Sequence, residues 1–435
     1  MTKRITAILV GLGILVLAVF LIYAWEPSIP EQEPPSPGDF SEAMIEQGRA
    51  LAGIGNCQSC HTVDPERPLA GGRPFPTDFG TLYSTNITPD PATGIGTWSR
   101  EAFHRGMRQG VARNGAHLFP AFPYTHYTLV RDEDLDALYA YLMTREPVNA
   151  EPPDNQLRFP FNVRLLQAGW KLLFFEEERY QPEDARPELW NRGAYLAQGL
   201  GHCSACHTPR NKFGAERTDL AYEGAVIDNW YAPALNTDSR APVAWTEASL
   251  YDYLRSGGST YHGVAVGSMA DVVHRGLGEA ENRDIRALAS YFSAMAEPGS
   301  DEQARQTATA TIQSAQRRTA DTLGYGEKVF TYACASCHYN DPDNPRALRP
   351  DLSLNTALRA DNPMNLIRVT LEGVGNEEGL PGVVMPGFAE LSNADISALL
   401  HFLRATHTDR PAWDNLEDEI ERQRQKVATN TESEQ

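Results

Sequence analysis

The chain has 435 residues, of which 41% are hydrophobic, and a formal net charge of −19 at pH 7. This hydrophobic content is normal for a globular protein and excludes wholesale disorder. The negative charge argues against nucleic acid or an anionic lipid surface as a binding partner. The length allows roughly two to four domains of ordinary size.

The N-terminus predicts a membrane anchor. Lys3 and Arg4 precede an uncharged apolar run of 21 residues, 5–25, which is long enough to cross a bilayer as a helix. Because positive charges stay on the cytoplasmic side, we expect one span in the inner membrane and the rest of the chain in the periplasm. A cleaved signal peptide is the alternative, although the run ends in bulky residues. The Pro-rich stretch 26–39 is expected to act as a stiff spacer.

One sequence unit then occurs three times. Each copy opens with a glycine and a short apolar helix that leads into Cys-x-x-Cys-His, and closes with a helix that begins near an acidic residue. The opening motifs occupy residues 48–61, 193–207 and 326–338, and the closing helices carry Asp134, Asp284 and Asp395. Ser99 and Thr246 are predicted to cap a middle helix in the first two copies.

The repeats define the predicted domains and the fold class. No alternating strand pattern of any length is visible, so we expect an all-α protein with three small helical domains in a row. The predicted segments are the anchor (1–25), the spacer (26–39), domain 1 (40–148), a linker with an apolar helix (149–184), domain 2 (185–298), a polar linker (299–321), domain 3 (322–410) and a charged tail (411–435), which we expect to be frayed.

All six cysteines belong to the three Cys-x-x-Cys-His motifs. Thiols three residues apart lie on one side of a helical turn, where both can form thioethers with the vinyl groups of one porphyrin. The adjacent histidine then supplies the proximal iron ligand. Disulfides, zinc sites and a dithiol redox motif are the alternatives, but a threefold repeat ending in histidine favours three covalently bound haem c groups. The predicted attachment residues are Cys57, Cys60, His61, Cys203, Cys206, His207, Cys334, Cys337 and His338.

A methionine in a loop before the closing helix is the expected sixth iron ligand in copies two and three. Met269 follows a Gly-Ser pair, and Met385 is followed by Pro386-Gly387. Methionine ligation raises the reduction potential of a haem. The alternative is that each methionine only fills the core.

The first copy departs from this pattern. Phe122 occupies the matching position, and a phenyl ring cannot coordinate iron. His126, four residues further on, is the predicted ligand, because imidazole binds iron well. Met107, Met143 and an open five-coordinate iron are the alternatives. A bis-histidine haem would have the lowest potential of the three, which suits the first acceptor of an electron.

An apolar segment, residues 163–175, lies between the first two copies. One interpretation is a helix buried against the neighbouring domains. The other is a docking or membrane-surface helix, because exposed apolar area marks interaction sites.

With these motifs, residues 40–410 resemble the tri-haem cytochrome c subunits of membrane-bound bacterial dehydrogenases. The shared features are the three haem motifs, the Pro-Ala-Phe-Pro-Tyr loop at 120–124, and residues 137–143 and 190–196. That group serves quinohaemoprotein alcohol dehydrogenase, gluconate dehydrogenase, and molybdenum hydroxylases acting on nicotinate, isoquinoline or aldehydes. Alcohol dehydrogenase members carry methionine where this chain has Phe122, so their ligand is not carried over. The phenylalanine form looks more like the molybdenum hydroxylase partners.

The resemblance implies class I cytochrome c-like domains and a catalytic subunit encoded elsewhere. That subunit would be a molybdenum hydroxylase, or a quinoprotein or flavoprotein dehydrogenase of alcohols or sugar acids. Electrons would pass through the haems to membrane quinone or a terminal oxidase of the respiratory chain. We therefore expect an electron-transfer subunit with no catalytic site of its own and no nucleic-acid partner. A free-standing multihaem carrier and a peroxidase-like enzyme using the first haem are the alternatives.

Overall fold

The computed structural model of the chain describes residues 2–296, 299–319, 324–338, 351–375, 378–380 and 382–433. The chain divides into two compact units: unit 1 comprises Met1–Pro182 and Gln198–His202, and unit 2 comprises Glu183–Ala197 and Cys203–Gln435. Unit 1 therefore contains the first Cys-x-x-Cys-His motif, and unit 2 contains the second and third. The predicted boundary between the linker 299–321 and domain 3 lies outside the described residues.

Helices dominate the described part of unit 1. In chain order they are α1 (Thr2–Ala24), a 3-10 turn (Pro37–Asp39), α2 (Glu42–Ile54), α3 (Cys57–His61), α4 (Arg100–Gln109), α5 (Tyr124–Tyr127), α6 (Asp132–Met143) and α7 (Leu166–Phe174). The Ser99 hydroxyl accepts a hydrogen bond from the Ala102 N–H and so begins α4, as predicted.

Unit 2 is also mainly helical. Its helices are α8 (Glu188–Gln198), α9 (Ser204–His207), α10 (Glu247–Ser256), α11 (Ser268–Asp271), α12 (Asn282–Met295), α13 (Asp301–Thr319), α14 (Tyr325–Ala333), α15 (Thr356–Arg359), α16 (Met364–Glu372), α17 (Asn393–His407) and α18 (Leu416–Ser433), with 3-10 turns at Thr218–Leu220, Leu277–Glu279 and Leu352–Leu354 and a π turn at Val272–Gly276. The Thr246 hydroxyl accepts from the Ser249 N–H at 3.2 Å and begins α10, as predicted.

Short strands accompany the helices, so the predicted all-α class is only partly confirmed. The described residues contain β1 (Pro74–Thr77), β2 (Gly80–Tyr83) and β3 (Gln156–Leu157) in one antiparallel sheet, and the hairpins β4 (Ala225–Ile227) with β5 (Trp230–Ala232) and β6 (Gly258–Ser259) with β7 (Gly263–Val264). These strands have two to four residues, and several contain Gly or Pro. Such segments are too short to show the alternation from which a strand is recognised.

The opening and closing helices of the three repeats form the same contact three times. The pairs are α2 with α6 and α14 with α17, and α8 with α12. In each pair a glycine of the opening helix lies so close to the closing helix that a Cβ would overlap a backbone carbonyl oxygen. The glycines and carbonyls are Gly48 with Ala137, Gly193 with Ala287, and Gly326 with Ala398. The glycine that opens each repeat therefore sets the distance between two packed helices.

A polar contact accompanies each glycine. The residue before the glycine donates a hydrogen bond to the aspartate at the start of the closing helix. Gln47 donates to Asp134 at 2.8 Å, Arg192 donates two hydrogen bonds of 2.8 Å to Asp284, and the Tyr325 hydroxyl donates to Asp395. Each aspartate thus links the opening helix to the closing helix, and its negative charge also stabilises the N-terminus of the closing helix.

Two segments predicted as a polar linker and a frayed tail contain packed helices. In α13 the residues Ala304, Ala308, Ile312 and Ala315 are buried, and their spacing places them on one helical face. In the tail, Leu416 and Ile420 of α18 join the core formed by α16 and α17. Both helices are highly polar overall, so their narrow apolar faces did not stand out in the sequence.

Helix α1 is the one helix among the described residues that is long and apolar enough to cross a membrane. Its last turn is attached to the rest of unit 1 by a buried polar network. His117 Nε2 donates to the Ala24 carbonyl at 2.9 Å, and the Lys171 ammonium donates to His117 Nδ1 at 3.1 Å. Lys171 also donates to the carbonyls of Gln109 and Gly110 at 2.5 and 2.9 Å. Burial lowers the pKa of Lys171 to about 8, so these three acceptors still meet an ammonium group at neutral pH.

The spacer that follows α1 is extended, but it is bound along unit 1. The Ile29 N–H donates to the Arg113 carbonyl at 2.8 Å, and the Gln32 side chain donates to the Tyr139 hydroxyl at 2.9 Å. Arg105 donates to the Pro27 carbonyl at 2.7 Å. These hydrogen bonds hold the spacer, which follows directly after α1, against the rest of unit 1.

A buried histidine of unit 2 predicts loss of stability in acid. His262 stacks on the Trp245 ring at 3.6 Å, its Nε2 donates to the Val243 carbonyl, and burial lowers its pKa to about 4 from 6.5. Above pH 6.5 the residue is neutral in both states, but as the pH falls toward 4 only the unfolded chain takes up the proton. This difference in proton uptake lowers the free energy of unfolding by about 3 kcal/mol by pH 4.

Urea unfolding at pH 7 and pH 4.5 measures this effect. His262→Phe is expected to lose less stability between the two pH values than the unsubstituted chain. His262→Gln, which hydrogen-bonds but does not titrate, separates proton uptake from lost hydrogen bonds and is expected to behave like the phenylalanine variant. Equal pH dependence in all three proteins would refute the assignment.

Candidate functional site

Each Cys-x-x-Cys-His motif forms a helical turn that follows the opening helix of its repeat. The first turn is α3, and in the second the His207 N–H donates to the Cys203 carbonyl at 3.2 Å. In the third the His338 N–H donates to the Cys334 carbonyl at 3.0 Å. Cysteines three apart on such a turn lie on the same side, as the haem prediction requires.

The residue before the first cysteine is left-handed in two of the motifs. Asn56 has φ = 50° and His202 has φ = 35°. Both residue types are among those that tolerate this region best. The left-handed residue lies after the end of the opening helix and lets the chain turn sharply into the cysteine-containing turn.

A backbone carbonyl orients the histidine in two of the motifs. His61 Nδ1 lies 2.6 Å from the Thr85 carbonyl oxygen, and His207 Nδ1 lies 2.7 Å from the Pro233 carbonyl oxygen. Since a carbonyl only accepts, Nδ1 carries the proton and Nε2 is the nitrogen that can bind a metal. Burial lowers the pKa of both histidines, which favours the neutral imidazole that coordination needs.

The surroundings of the thiols do not favour a reactive dithiol pair. Burial, reinforced by the neighbouring cysteine, raises the pKa of Cys57 and Cys203 to about 12 and that of Cys334 to about 11. Reactive dithiol motifs have a lowered pKa instead. No disulfide joins the six cysteines, all of which the structure describes, and no three His, Cys, Asp or Glu side chains converge there as a zinc site would need.

The two candidate methionine ligands lie ahead of the closing helices of their repeats, Met269 in a short helix and Met385 in a loop. Met269 is the second residue of α11, is half-buried, and packs against Ala265, Ala270 and Val273. Met385 is half-buried and exchanges two backbone hydrogen bonds of 2.9 and 3.0 Å with Val374. The structure therefore holds each methionine at a defined place ahead of its closing helix.

The first repeat places His126 in α5, beside the Pro-Ala-Phe-Pro-Tyr loop. Its Nδ1 lies 2.9 Å from the Gln198 carbonyl oxygen, and its ring centre lies 6.4 Å from that of His202. Phe122 packs edge-on against Tyr127 at 5.3 Å. Of the alternatives, Met143 is buried in the core side of α6, and Met107 is half-buried in α4.

Comparison with known proteins identifies the family. The cytochrome c family model matches residues 45–146 and 324–407. The chain is 36% identical to the gluconate 2-dehydrogenase cytochrome c subunit of Pantoea cypripedii over 84% of this chain and 86% of that protein. It is 35% identical to the fructose dehydrogenase cytochrome subunit of Gluconobacter japonicus, over 81% and 76%. The chain belongs to the family of cytochrome c subunits of dehydrogenases.

A further relative of this cytochrome is much longer. The chain is 44% identical to a nicotinate dehydrogenase subunit of Pseudomonas putida over 93% of its own length. It spans only 34% of that protein. The chain therefore aligns with about a third of a larger polypeptide.

The residues of this cytochrome fit covalently bound haem c. The cysteine pairs lie on one side of their turns, and His61 and His207 are half-buried and oriented through Nδ1. The sequence showed the cysteines and histidines but missed the carbonyls of Thr85 and Pro233, because a backbone carbonyl leaves no residue-specific signal. The sequence also did not indicate that Tyr127 lies near the first motif. The pKa of Tyr127 is raised by burial and, to a smaller extent, by the nearby thiols of Cys57 and Cys60.

Proposed function

We propose that this cytochrome carries three covalently bound haem groups, one in each of three tandem cytochrome c domains at about residues 40–148, 185–298 and 322–410. The observation that carries the proposal is the threefold recurrence of one assembly. Each copy combines a glycine-mediated helix pair with a Cys-x-x-Cys-His turn at the end of the opening helix. Such a small domain gains a core from the group attached to it.

The residues of each copy have distinct roles in this proposal. Bound haem supplies an iron that accepts and releases one electron at a time. The cysteines hold the group covalently, and His61, His207 and His338 are the proximal ligands. Met269 and Met385 are the proposed sixth ligands of the second and third sites, and His126 is that of the first. The Thr85 and Pro233 carbonyls keep the Nδ1 proton in place, which makes the imidazole a better ligand.

We further propose that the chain passes electrons from a catalytic dehydrogenase subunit to membrane quinone or a terminal oxidase. The family relationship supports a dehydrogenase partner, and the 44% identity to a nicotinate dehydrogenase subunit favours a molybdenum hydroxylase. Helix α1 would anchor the chain in the inner membrane with the haem domains in the periplasm.

Purification from detergent-solubilised membranes tests the proposed function. An affinity tag on the full chain is expected to bring down a dehydrogenase subunit, identified by mass spectrometry, whose substrate reduces the haems. The haem spectrum is expected to be six-coordinate and low-spin throughout. A chain that purifies alone would indicate a free-standing carrier. A five-coordinate first haem with turnover of hydrogen peroxide would indicate the peroxidase-like alternative.

A further inference from the structure

Helix α7 has its polar and apolar sides reversed relative to a normal surface helix. Lys171 is only 6% exposed, whereas Leu172 and Leu173 are 59% and 72% exposed. In α7 only Ala168 and Lys171 are buried. The segment is therefore buried on one side only, which fits the docking or membrane-surface interpretation better than a helix buried against both neighbouring domains. A helix in water would expose its lysine and bury its leucines.

The exposed apolar surface continues into the chain that precedes α7. Residues 158–166 are all exposed, and they include Phe159 at 82% exposure together with Phe161, Val163 and Leu165. We call residues 158–175 the apolar apron. Single exposed apolar residues are common, but a continuous run of this length marks an interaction surface.

The charge of the apolar apron differs from that of the rest of the chain. Its charged residues are Arg158, Arg164 and Lys171, and it contains no aspartate or glutamate, although the chain as a whole carries a formal charge of −19. The acidic run Glu176, Glu177 and Glu178 follows at once. Lys171 is buried and Arg164 donates to the His117 carbonyl, which leaves Arg158 as the outward basic residue. A basic residue among exposed aromatic and aliphatic ones is typical of the boundary between lipid headgroups and acyl chains.

The apolar apron is joined to the end of the candidate membrane helix. A Cβ on Gly169 of α7 would lie 3.6 Å from the Phe20 ring of α1. Two residues further along α7, Lys171 binds His117, which in turn binds the Ala24 carbonyl at the last residue of α1. Helix α7 is thus held beside the last turn of α1 at two levels.

This attachment sets the depth of α7 if α1 spans a bilayer. Phe20 precedes the end of α1 by four residues, which is about 6 Å along a helix. A helix that packs at this level lies within the 5–10 Å by which amphipathic surface helices enter the headgroup and acyl boundary. Lysine on the inner side and leucine on the outer side is then the expected arrangement, because the surroundings on the outer side are lipid.

We propose that the apolar apron lies in the interfacial layer of the same bilayer that holds α1, and rests unit 1 on the membrane surface. Leu172, Leu173 and the exposed phenylalanines contact acyl chains, and Arg158 lies among the phosphate groups. The inference relies on the proposed anchor. A second protein is a less suitable occupant, because the apron is continuous with a helix whose own surroundings are lipid.

Lipid-borne quenching of single fluorescent labels on the full, haem-containing chain tests this proposal. Cysteine is introduced at one position at a time, labelled, and reconstituted into nanodiscs of phosphatidylcholine and phosphatidylglycerol with a quencher near the top of the acyl chains. Leu173→Cys reports on the apron and is tolerated because that side chain is largely exposed. Glu133→Cys, in the acidic first turn of α6, is the matched control in unit 1. Leu9→Cys, with a quencher deep in the acyl chains, reports on the anchor.

We expect the label at 173 to be quenched several-fold more than the label at 133, together with strong quenching at 9 by the deep probe. Quenching at 9 with equal, weak quenching at 173 and 133 would overturn the inference and leave the anchor intact. Absence of quenching at 9 would overturn the anchor and the inference with it. Shielding of 173 only when a dehydrogenase subunit is added would identify a protein-docking surface and overturn the lipid assignment.

Discussion

Replacing Cys203 and Cys206 together by serine is expected to lower the covalently bound haem from the proposed three groups per chain to two. The serine hydroxyls cannot form thioethers with the vinyl groups, so the second site loses its attachment while the first and third keep theirs. Haem absorbance per chain is expected to fall by about a third, and the mass of the purified chain by one haem. Pyridine haemochrome spectra and intact-protein mass spectrometry measure the two quantities.

Ala205→Ser is the matched control for this substitution. It changes the same helical turn between the two cysteines but leaves both thiols in place. We expect it to retain all three haems. A double serine variant that kept full haem content, or a control that lost one group, would contradict the proposed attachment at this turn.

Gly193→Ala is expected to destabilise unit 2 by about 3 kcal/mol or more, because the added methyl group has no room. It would overlap the Ala287 carbonyl oxygen of α12 and would lie 2.8 Å from the Cβ of Tyr291. Neither group is the end of a flexible side chain, so the two helices must separate. That separation would also weaken the hydrogen bonds between Arg192 and Asp284. Thermal unfolding followed by haem absorbance and circular dichroism measures the loss.

Gly278→Ala provides the comparison in the same unit. A methyl group at Gly278 would meet only the Val273 carbonyl oxygen, at 3.8 Å, which is ordinary contact. This variant is expected to unfold within about 0.5 kcal/mol of the unsubstituted chain. Equal unfolding temperatures for the two alanine variants would show that the helix pair of the second repeat is not as close as described.

Much of the helical framework could be predicted because it repeats. The glycine, the Cys-x-x-Cys-His motif and the closing helix recur three times, and the caps at Ser99 and Thr246 are local signals that need no tertiary context. Helices α13 and α18 were missed, since only Ala304, Ala308 and a few other residues of these polar segments form a buried stripe. Their burial depends on partners distant in the sequence.

The haem sites show the same division between local and distant information. The spacing of Cys57, Cys60 and His61 is local and predicts one turn with a metal-binding histidine. The carbonyl that orients this histidine belongs to Thr85, 24 residues later, and is a backbone atom that any residue type supplies. Phe122 cannot be the sixth ligand of the first site, because a phenyl ring does not coordinate iron. No local sequence pattern selects His126 over its neighbours. That ligand stays a prediction.

The link from Ala24 through His117 to Lys171 has a mechanical consequence. A membrane helix that is joined to its domain by a flexible hinge can tilt without tilting the domain. Here the hydrogen bonds join the last turn of α1 to the rest of unit 1, so we expect the two to tilt together. Membrane helices answer a thinner bilayer by leaning further from the normal. If α1 spans the bilayer as proposed, thinning would therefore tilt unit 1 toward the lipid on one side, and replacing long-chain with short-chain phospholipids is expected to change the rate of electron transfer out of the protein.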